Sequence, residues 1–227
     1  MAEVGVVIAG GGRGVRLGGK TPKQFLPLHG VPILLRTIMI FDRHPEVSQI
    51  VVVVPPASTA KTERIVRRSG CRKVVRVVAG GAERQASVRR GMEAFPKSPG
   101  IILVHDAVRP FVSRASITAV IRAAARHGAA VVGVRVTDTI KTEGPDGFYR
   151  ETLDRNRLWA VQTPQGFRRR LLERAHAEAA KTGFLGTDEA SLAERIGIRV
   201  RIVEGEYGNL KITTREDLKL AQMKLKR

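Results

Sequence analysis

Short runs of apolar, largely β-branched residues recur at positions 4–9, 49–54, 74–79, 101–105 and 129–134, and they constrain the fold of this chain more than any other feature. Each is too short and too continuously apolar for an amphipathic helix, so each reads as a strand buried on both faces of a sheet. Between them, residues 32–43, 59–69, 84–95 and 114–125 carry helical spacing. Strands alternating with helices imply right-handed crossovers and an α/β fold with a doubly wound, mostly parallel sheet. A chain of 227 residues suffices for one such core, and nothing marks another, so residues 1–227 are read as a single domain with one active site.

The alternation breaks at 137–159, where Thr, Phe, Tyr and Leu flank the turn signal Glu143-Gly144-Pro145-Asp146-Gly147. We read a projecting β-hairpin arm there. A lone hairpin is poorly stable, so packing against another subunit is a natural use for it, with an ordinary surface excursion as the plainer reading. Helical patterns resume at 168–181 and 187–196, a strand follows at 200–203, and 214–227 closes the chain, with Thr214 and Asp217 spaced as a capping pair.

Composition narrows the function classes. Cys71 is the single cysteine, so neither a disulfide framework nor a multi-thiolate zinc site forms within one chain, and a reducing cytoplasm is the expected setting. Residue Glu3 stands where a secretory signal would be cationic, and runs such as 50–54 are far too short to cross a bilayer, so no membrane role is expected. A net charge of +19 invites a nucleic-acid-binding reading. The cations are scattered, however, as in Arg64, Arg67, Arg68, Arg122, Arg126 and Arg174, and aromatic residues that could stack bases make up only 4%. A solvated, charge-dense surface of the kind that accompanies adaptation to heat explains them better. The five histidines show no metal-ligand spacing, and His105 is read as structural.

Chemistry concentrates in the loop after the first strand, Gly10-Gly11-Gly12-Arg13-Gly14-Val15-Arg16-Leu17-Gly18-Gly19-Lys20-Thr21-Pro22-Lys23. Glycines let main-chain N–H groups close around phosphate oxygens, and the cations neutralise them. Residues 14–21 satisfy the spacing of a P-loop, yet Pro22, Pro27, Gly30 and Pro32 prevent the helix that a P-loop lysine must open. A dinucleotide fingerprint fails too, because the second strand ends in Val54-Pro55-Pro56 without a ribose-binding acid. What is left is a long phosphate-wrapping loop with Arg16 and Lys23 as its working cations.

This loop, followed by Pro27-Leu28 and Gly30-Val31-Pro32, resembles the signature of nucleotidyltransferases of the sugar-nucleotide pyrophosphorylase-like superfamily. Seven further motifs appear in order: Gly80 to Val88, Val104 to Pro110, Asp138 to Lys141, Asp154-Arg155-Asn156, Gln162 to Gln165, Thr187 to Ser191 and Asn209 to Thr213. Together they make the chain similar, over essentially its full length, to the 2-C-methyl-D-erythritol 4-phosphate cytidylyltransferase family. The resemblance implies transfer of CMP from CTP to methylerythritol phosphate, with Mg²⁺ as cofactor, held mainly by the triphosphate, and a homodimer joined through the arm. It implies nucleotide contacts at Gly10, Gly11, Gly12, Gly14, Lys23, Gly81, Ala82, Ser87 and Ala107. It implies acceptor contacts at Asp106, Arg109, Thr139, Arg155, Thr187 and Lys211, with Asp106 approaching the metal and a helix-capping aspartate as its plainer reading. Arg16 and Lys23 would stabilise the transition state, while Arg155 and Lys211 would position the attacking phosphate. Departures from the family pattern are Ala9-Gly10-Gly11-Gly12 in place of Pro-Ala-Ala-Gly, Ala82 in place of an acid, and Val108 in place of alanine. A ribitol 5-phosphate cytidylyltransferase shares most of these motifs and stands as the neighbouring reading.

Overall fold

The structure, a computed structural model, describes residues 3–11 and 21–225. Its centre is a seven-stranded sheet. In spatial order the strands are β11 (Arg201–Glu204), β7 (Ala129–Arg135), β10 (Trp159–Arg168), β6 (Ile101–Asp106), β1 (Val4–Ala9), β4 (Val47–Val54) and β5 (Val74–Ala79). All pair in parallel except β10, which runs antiparallel to both β6 and β7.

Helices α1 (Ile33–Asp42), α2 (Thr59–Ser69) and α4 (Arg114–His127) cover one face, against Val6, Ile8, Val52 and Leu103. Helices α3 (Arg84–Glu93), α5 (Arg169–Thr182) and α6 (Glu189–Arg195) cover the other, against Val7, Val53, Ile102 and Val104. Successive residues of one strand thus serve opposite cores, which is why these strands read as unbroken apolar runs. A last helix, α7 (Arg215–Lys224), starts from the expected Thr214–Asp217 capping box and seats Ala221 beside Leu28 and Ile33.

Strands β1, β5 and α2 fall on the expected boundaries, and most other elements shift by one or two residues. Ahead of α1, β2 (Pro27–Leu28) and β3 (Val31–Pro32) form a miniature hairpin whose turn places His29 at φ 47° and Gly30 at φ 75°. Both central residues in the left-handed region mark a tight hairpin turn, where glycine costs no strain. The arm is a hairpin of β8 (Lys141–Glu143) and β9 (Tyr149–Thr152), narrower than the 137–159 segment expected to form it.

One central element escapes the sequence pattern. Trp159, expected as the last residue of the arm, instead opens β10, inserted between β6 and β7. Its Gln162-Thr163-Pro164-Gln165 core breaks any apolar run, and a proline argues against a central strand. The structure accommodates it by interrupting the β7 register between Val161 and Gln165, so the missing proline N–H falls where no ladder bond is required.

A candidate active site at the carboxyl edge of the sheet

Strand order reverses around β1, since the chain moves outward to β4 and β5 and then returns to place β6 on the other side. Open α/β sheets bind ligands in the crevice at such a switch point, beyond the carboxyl ends of the strands. The cleft found there is built from the ends of β1 and β6, the start of α3 and the approach to α7.

Its floor is backbone. Gly10 N–H donates to Val53 O at 2.7 Å, Ala107 N–H donates to Ala9 O at 3.0 Å, and the buried Gln24 amide donates to Gly10 O at 2.8 Å. A Cβ at Gly11 would meet Ser87 Oγ at 2.9 Å, so that hydroxyl would have to shift to admit a side chain there. The wall is the turn into α3, closed by Gly81 N–H donating to Ser87 Oγ at 3.0 Å while that hydroxyl donates to Glu83 O at 3.0 Å. Gly10, Gly11, Gly81, Ala82 and Ser87 keep this end of the cleft free of bulky side chains.

The charged end is organised by Asp106, only 7% exposed at the last position of β6. Lys211 Nζ lies 2.9 Å and Arg109 Nε 3.4 Å from Oδ2, while Arg84 Nε lies 3.6 Å from Oδ1. Burial alone would raise the carboxyl pKa, but Lys211, Arg84 and Arg109 outweigh it and hold Asp106 far below the usual carboxylate range. Arg84 in turn donates from Nη1 to both oxygens of the buried Glu189, at 2.8 Å each. Burial works against its charge, yet Glu189 and Asp106 raise its pKa above the ordinary arginine value, so the guanidinium stays ionised.

Strand β10 supplies the support behind this cluster. Thr163 Oγ1 accepts from Asp106 N–H at 3.1 Å and lies 3.1 Å from His105 Nδ1. His105 Nε2 is 3.0 Å from Arg109 O, and burial pushes the imidazole pKa down to about 4, consistent with the structural role expected of it. The Asn209 side-chain amide donates to Gln162 Oε1 and Thr163 O, both at 2.9 Å, and the Asn209 main-chain carbonyl accepts from Arg109 Nη1 at 2.8 Å.

Of the residues expected from sequence, Gly10, Gly11, Lys23, Gly81, Ala82, Ser87, Asp106, Ala107 and Lys211 line this cleft, and Arg109 reaches it through Asp106. Gly12, Gly14 and Arg16 lie outside the described residues. Thr139 and Arg155 are exposed on and beside the arm and do not line the cleft of their own chain; Arg155 Nη1 donates to Thr137 O at 2.8 Å. Thr187 is exposed one residue ahead of Asp188, the N-cap of α6. Arg84 and Glu189 fall within the motifs at 80–88 and 187–191, yet nothing in the sequence gives either a role. A charge pair 105 residues apart leaves no local signal, and a glutamate opening a helix already has an ordinary explanation in the helix dipole.

Among the described residues no group of three or more His, Cys, Asp or Glu side chains is placed to hold a metal ion. The described carboxylates lining the cleft are Glu83 and Asp106, the latter already ringed by three cations, and this pair does not fit a protein cage for magnesium.

Fold and cleft together define a doubly wound α/β protein with a cleft at the switch point of its sheet lined by the cations Lys23, Arg84 and Lys211. The chain belongs to the 2-C-methyl-D-erythritol 4-phosphate cytidylyltransferase family, whose model matches residues 4–227. It is 49% identical over 222 residues to the enzyme of that name from Symbiobacterium thermophilum, covering 98% of this chain and 92% of the relative. Its identity to the Geobacillus kaustophilus enzyme of the same name is 45% over 216 residues, covering 95% and 94%. Among solved structures it resembles 4-diphosphocytidyl-2C-methyl-D-erythritol synthase from Anaerococcus prevotii, with TM-score 0.88, 27% identity and coverage of 100% and 99%. The 2-C-methyl-D-erythritol 4-phosphate cytidylyltransferase from Thermus thermophilus matches with TM-score 0.79, 35% identity and full coverage of both chains.

Proposed function

We propose that this protein transfers the cytidylyl group of CTP to 2-C-methyl-D-erythritol 4-phosphate, releasing pyrophosphate and forming 4-diphosphocytidyl-2-C-methyl-D-erythritol for isoprenoid precursor synthesis. One observation carries the reading. Residues scattered from Lys23 through Gly81 and Asp106 to Lys211, all within the segment matched by the family, converge on a single cleft at the switch point of the sheet.

The reaction joins an oxygen of the acceptor phosphate to the α-phosphorus of CTP as the bond from that phosphorus to the β-phosphate oxygen breaks. The acceptor phosphate is already anionic near neutral pH, so no strong general base is required. The protein supplies charge and alignment. Lys23, with Arg16 from the glycine loop, stabilises the charge that builds on the α-phosphoryl oxygens. Gly10, Gly11, Gly12 and Gly14 wrap the triphosphate, and Gly81, Ala82, Ser87 and Ala107 hold cytosine and ribose by close backbone approach. Asp106, kept ionised by its three cations, accepts hydroxyls of the acceptor. Lys211 is 42% exposed and has further N–H donors beyond the one spent on Asp106, so it can also meet the acceptor phosphate.

Magnesium enters as the counter-ion of CTP, part of the substrate, because Mg²⁺ commonly rides on substrate phosphates. Thr139 and Arg155 come from the arm of a second copy in a cytoplasmic homodimer, Arg155 acting with Lys211 on the attacking phosphate, and Thr187 closes the acceptor side. Pyrophosphate release from Mg·CTP with methylerythritol phosphate tests the assignment. Equal turnover with ribitol 5-phosphate would overturn the acceptor, and no turnover with either would overturn the reaction.

A further inference from the structure

We infer that Arg84, gripped from behind by the buried carboxylate of Glu189, is the positioning residue that aims Asp106 at the acceptor and joins the nucleotide wall of the cleft to its acceptor side. The inference rests on the proposed reaction and adds to it a residue pair with a role of its own.

The two oxygens of Asp106 have different surroundings. Oδ2 is taken by Lys211 at 2.9 Å and Arg109 at 3.4 Å. Oδ1 faces Arg84 Nε at 3.6 Å, an ion pair longer than a hydrogen bond, so this oxygen retains capacity to accept a substrate hydroxyl. Arg84 orients the carboxylate without consuming that oxygen. It keeps this distance because its Nη1 is committed to both oxygens of Glu189, which is only 1% exposed.

The pair sits within a wider strap. Gln85, next to Arg84, donates to Phe184 O at 3.2 Å and accepts from Gly186 N–H at 3.0 Å. From the opposite side, Gln165 of β10 donates to Asp188 Oδ2 at 2.7 Å and accepts from Ala190 N–H at 3.2 Å. Residues 184–190, which carry Thr187, are therefore tied both to the start of α3 and to the central sheet. A buried ion pair contributes little net stability once desolvation is counted, and apolar residues of similar volume often do as well. A guanidinium spanning two carboxylates contributes geometry instead, because its planar fork fixes both partners and an ammonium cannot.

Steady-state pyrophosphate release by the full-length protein tests this with Arg84→Lys and Glu189→Gln, the exposed Arg89→Ala on the same helix serving as control. Both variants are expected to raise KM for the acceptor at least tenfold while KM for CTP stays within threefold of wild type. The double variant is expected to be no worse than the poorer single one, since each breaks the same link. CTP affinity by calorimetry, expected unchanged, separates lost positioning from lost folding. Parallel rises in both KM values, an acceptor KM within threefold of wild type, or losses that multiply in the double variant overturn the inference while leaving the reaction intact. A wild-type protein that releases no pyrophosphate sinks the reaction itself, and this inference with it.

Discussion

The cleft and the arm are both rich in charge, yet they treat it in opposite ways. Around Asp106, two arginines and a lysine surround a carboxylate that is 7% exposed, and Glu189 behind them is buried completely enough to hold Arg84 rigidly. On the arm, Arg150, Arg155 and Arg157 stand in solvent, and Phe148 and Tyr149 are 74% and 78% exposed. The root of the arm is better held, by Arg135 stacked 4.2 Å over the Trp159 ring and bonded to Asn156 O. Charges that fix one another around a buried carboxylate are preorganised for chemistry, whereas fully exposed ones are screened and worth little until something covers them. The arm thus carries apolar and cationic side chains that its own chain leaves uncovered, whereas the cleft holds its charges against one another.

The largest expected effect lies at Lys23, which lines the cleft together with Gly10 and Gly11. Lys23→Ala should lower kcat on the order of 10²–10³-fold with KM for CTP changed only a few-fold, as loss of a transition-state donor does. Near-normal kcat in a pyrophosphate-release assay would remove Lys23 from the mechanism and weaken the contrast at its centre.

On the arm, Arg155→Ala should cost about 10–100-fold in kcat/KM, the range for losing a charged hydrogen bond, with the melting temperature unmoved. Mixing that variant with Lys211→Ala should restore activity, because a mixed dimer regenerates one intact site. Absence of recovery would confine the arm to a structural part.

Stability should respond to pH through the interior rather than the arm. His105 and His176 are both pushed down to about 4, chiefly by burial, so between roughly pH 6.5 and 4 the unfolded chain binds protons that the folded one refuses. Unfolding free energy should therefore fall as pH drops through that window, by up to about 2.7 kcal/mol per unit for the two together. Denaturant titrations of His176→Asn should show about half that slope. Asp106 acts further down: its depressed pKa contributes stability above the usual carboxylate range, lost as pH falls below it.

Smallest of all is the arm tip. Phe148→Ser with Tyr149→Ser should leave subunit stability within about 0.5 kcal/mol, as exposed substitutions do, while shifting the sedimentation profile towards monomer. A large loss of subunit stability would show that the tip packs against its own chain.

Much of the site was legible because its residues occupy ordered motifs next to strand ends. Asp106, Lys211, Ser87 and Gly81 were singled out there, and the structure brings them into one cleft. Strand β10 was not legible, since buried polar residues around Pro164 imitate a loop until the neighbouring strands satisfy them. Arg84 and Glu189 were visible but mute. Their meaning depends on two helix starts meeting across the sheet edge, which no spacing reports.

What the amino-acid order determined by itself is whatever depends on periodicity and local chemistry: the buried parallel strands, the helices between them, the glycine floor and the capping box at Thr214. Packing alone decided the rest, because pairing Asp106 with Arg84, Arg109 and Lys211 requires β6, α3 and the approach to α7 to converge in space. Electrostatic energy depends on distance and burial rather than on position along the chain, and those two quantities exist only once the sheet has formed.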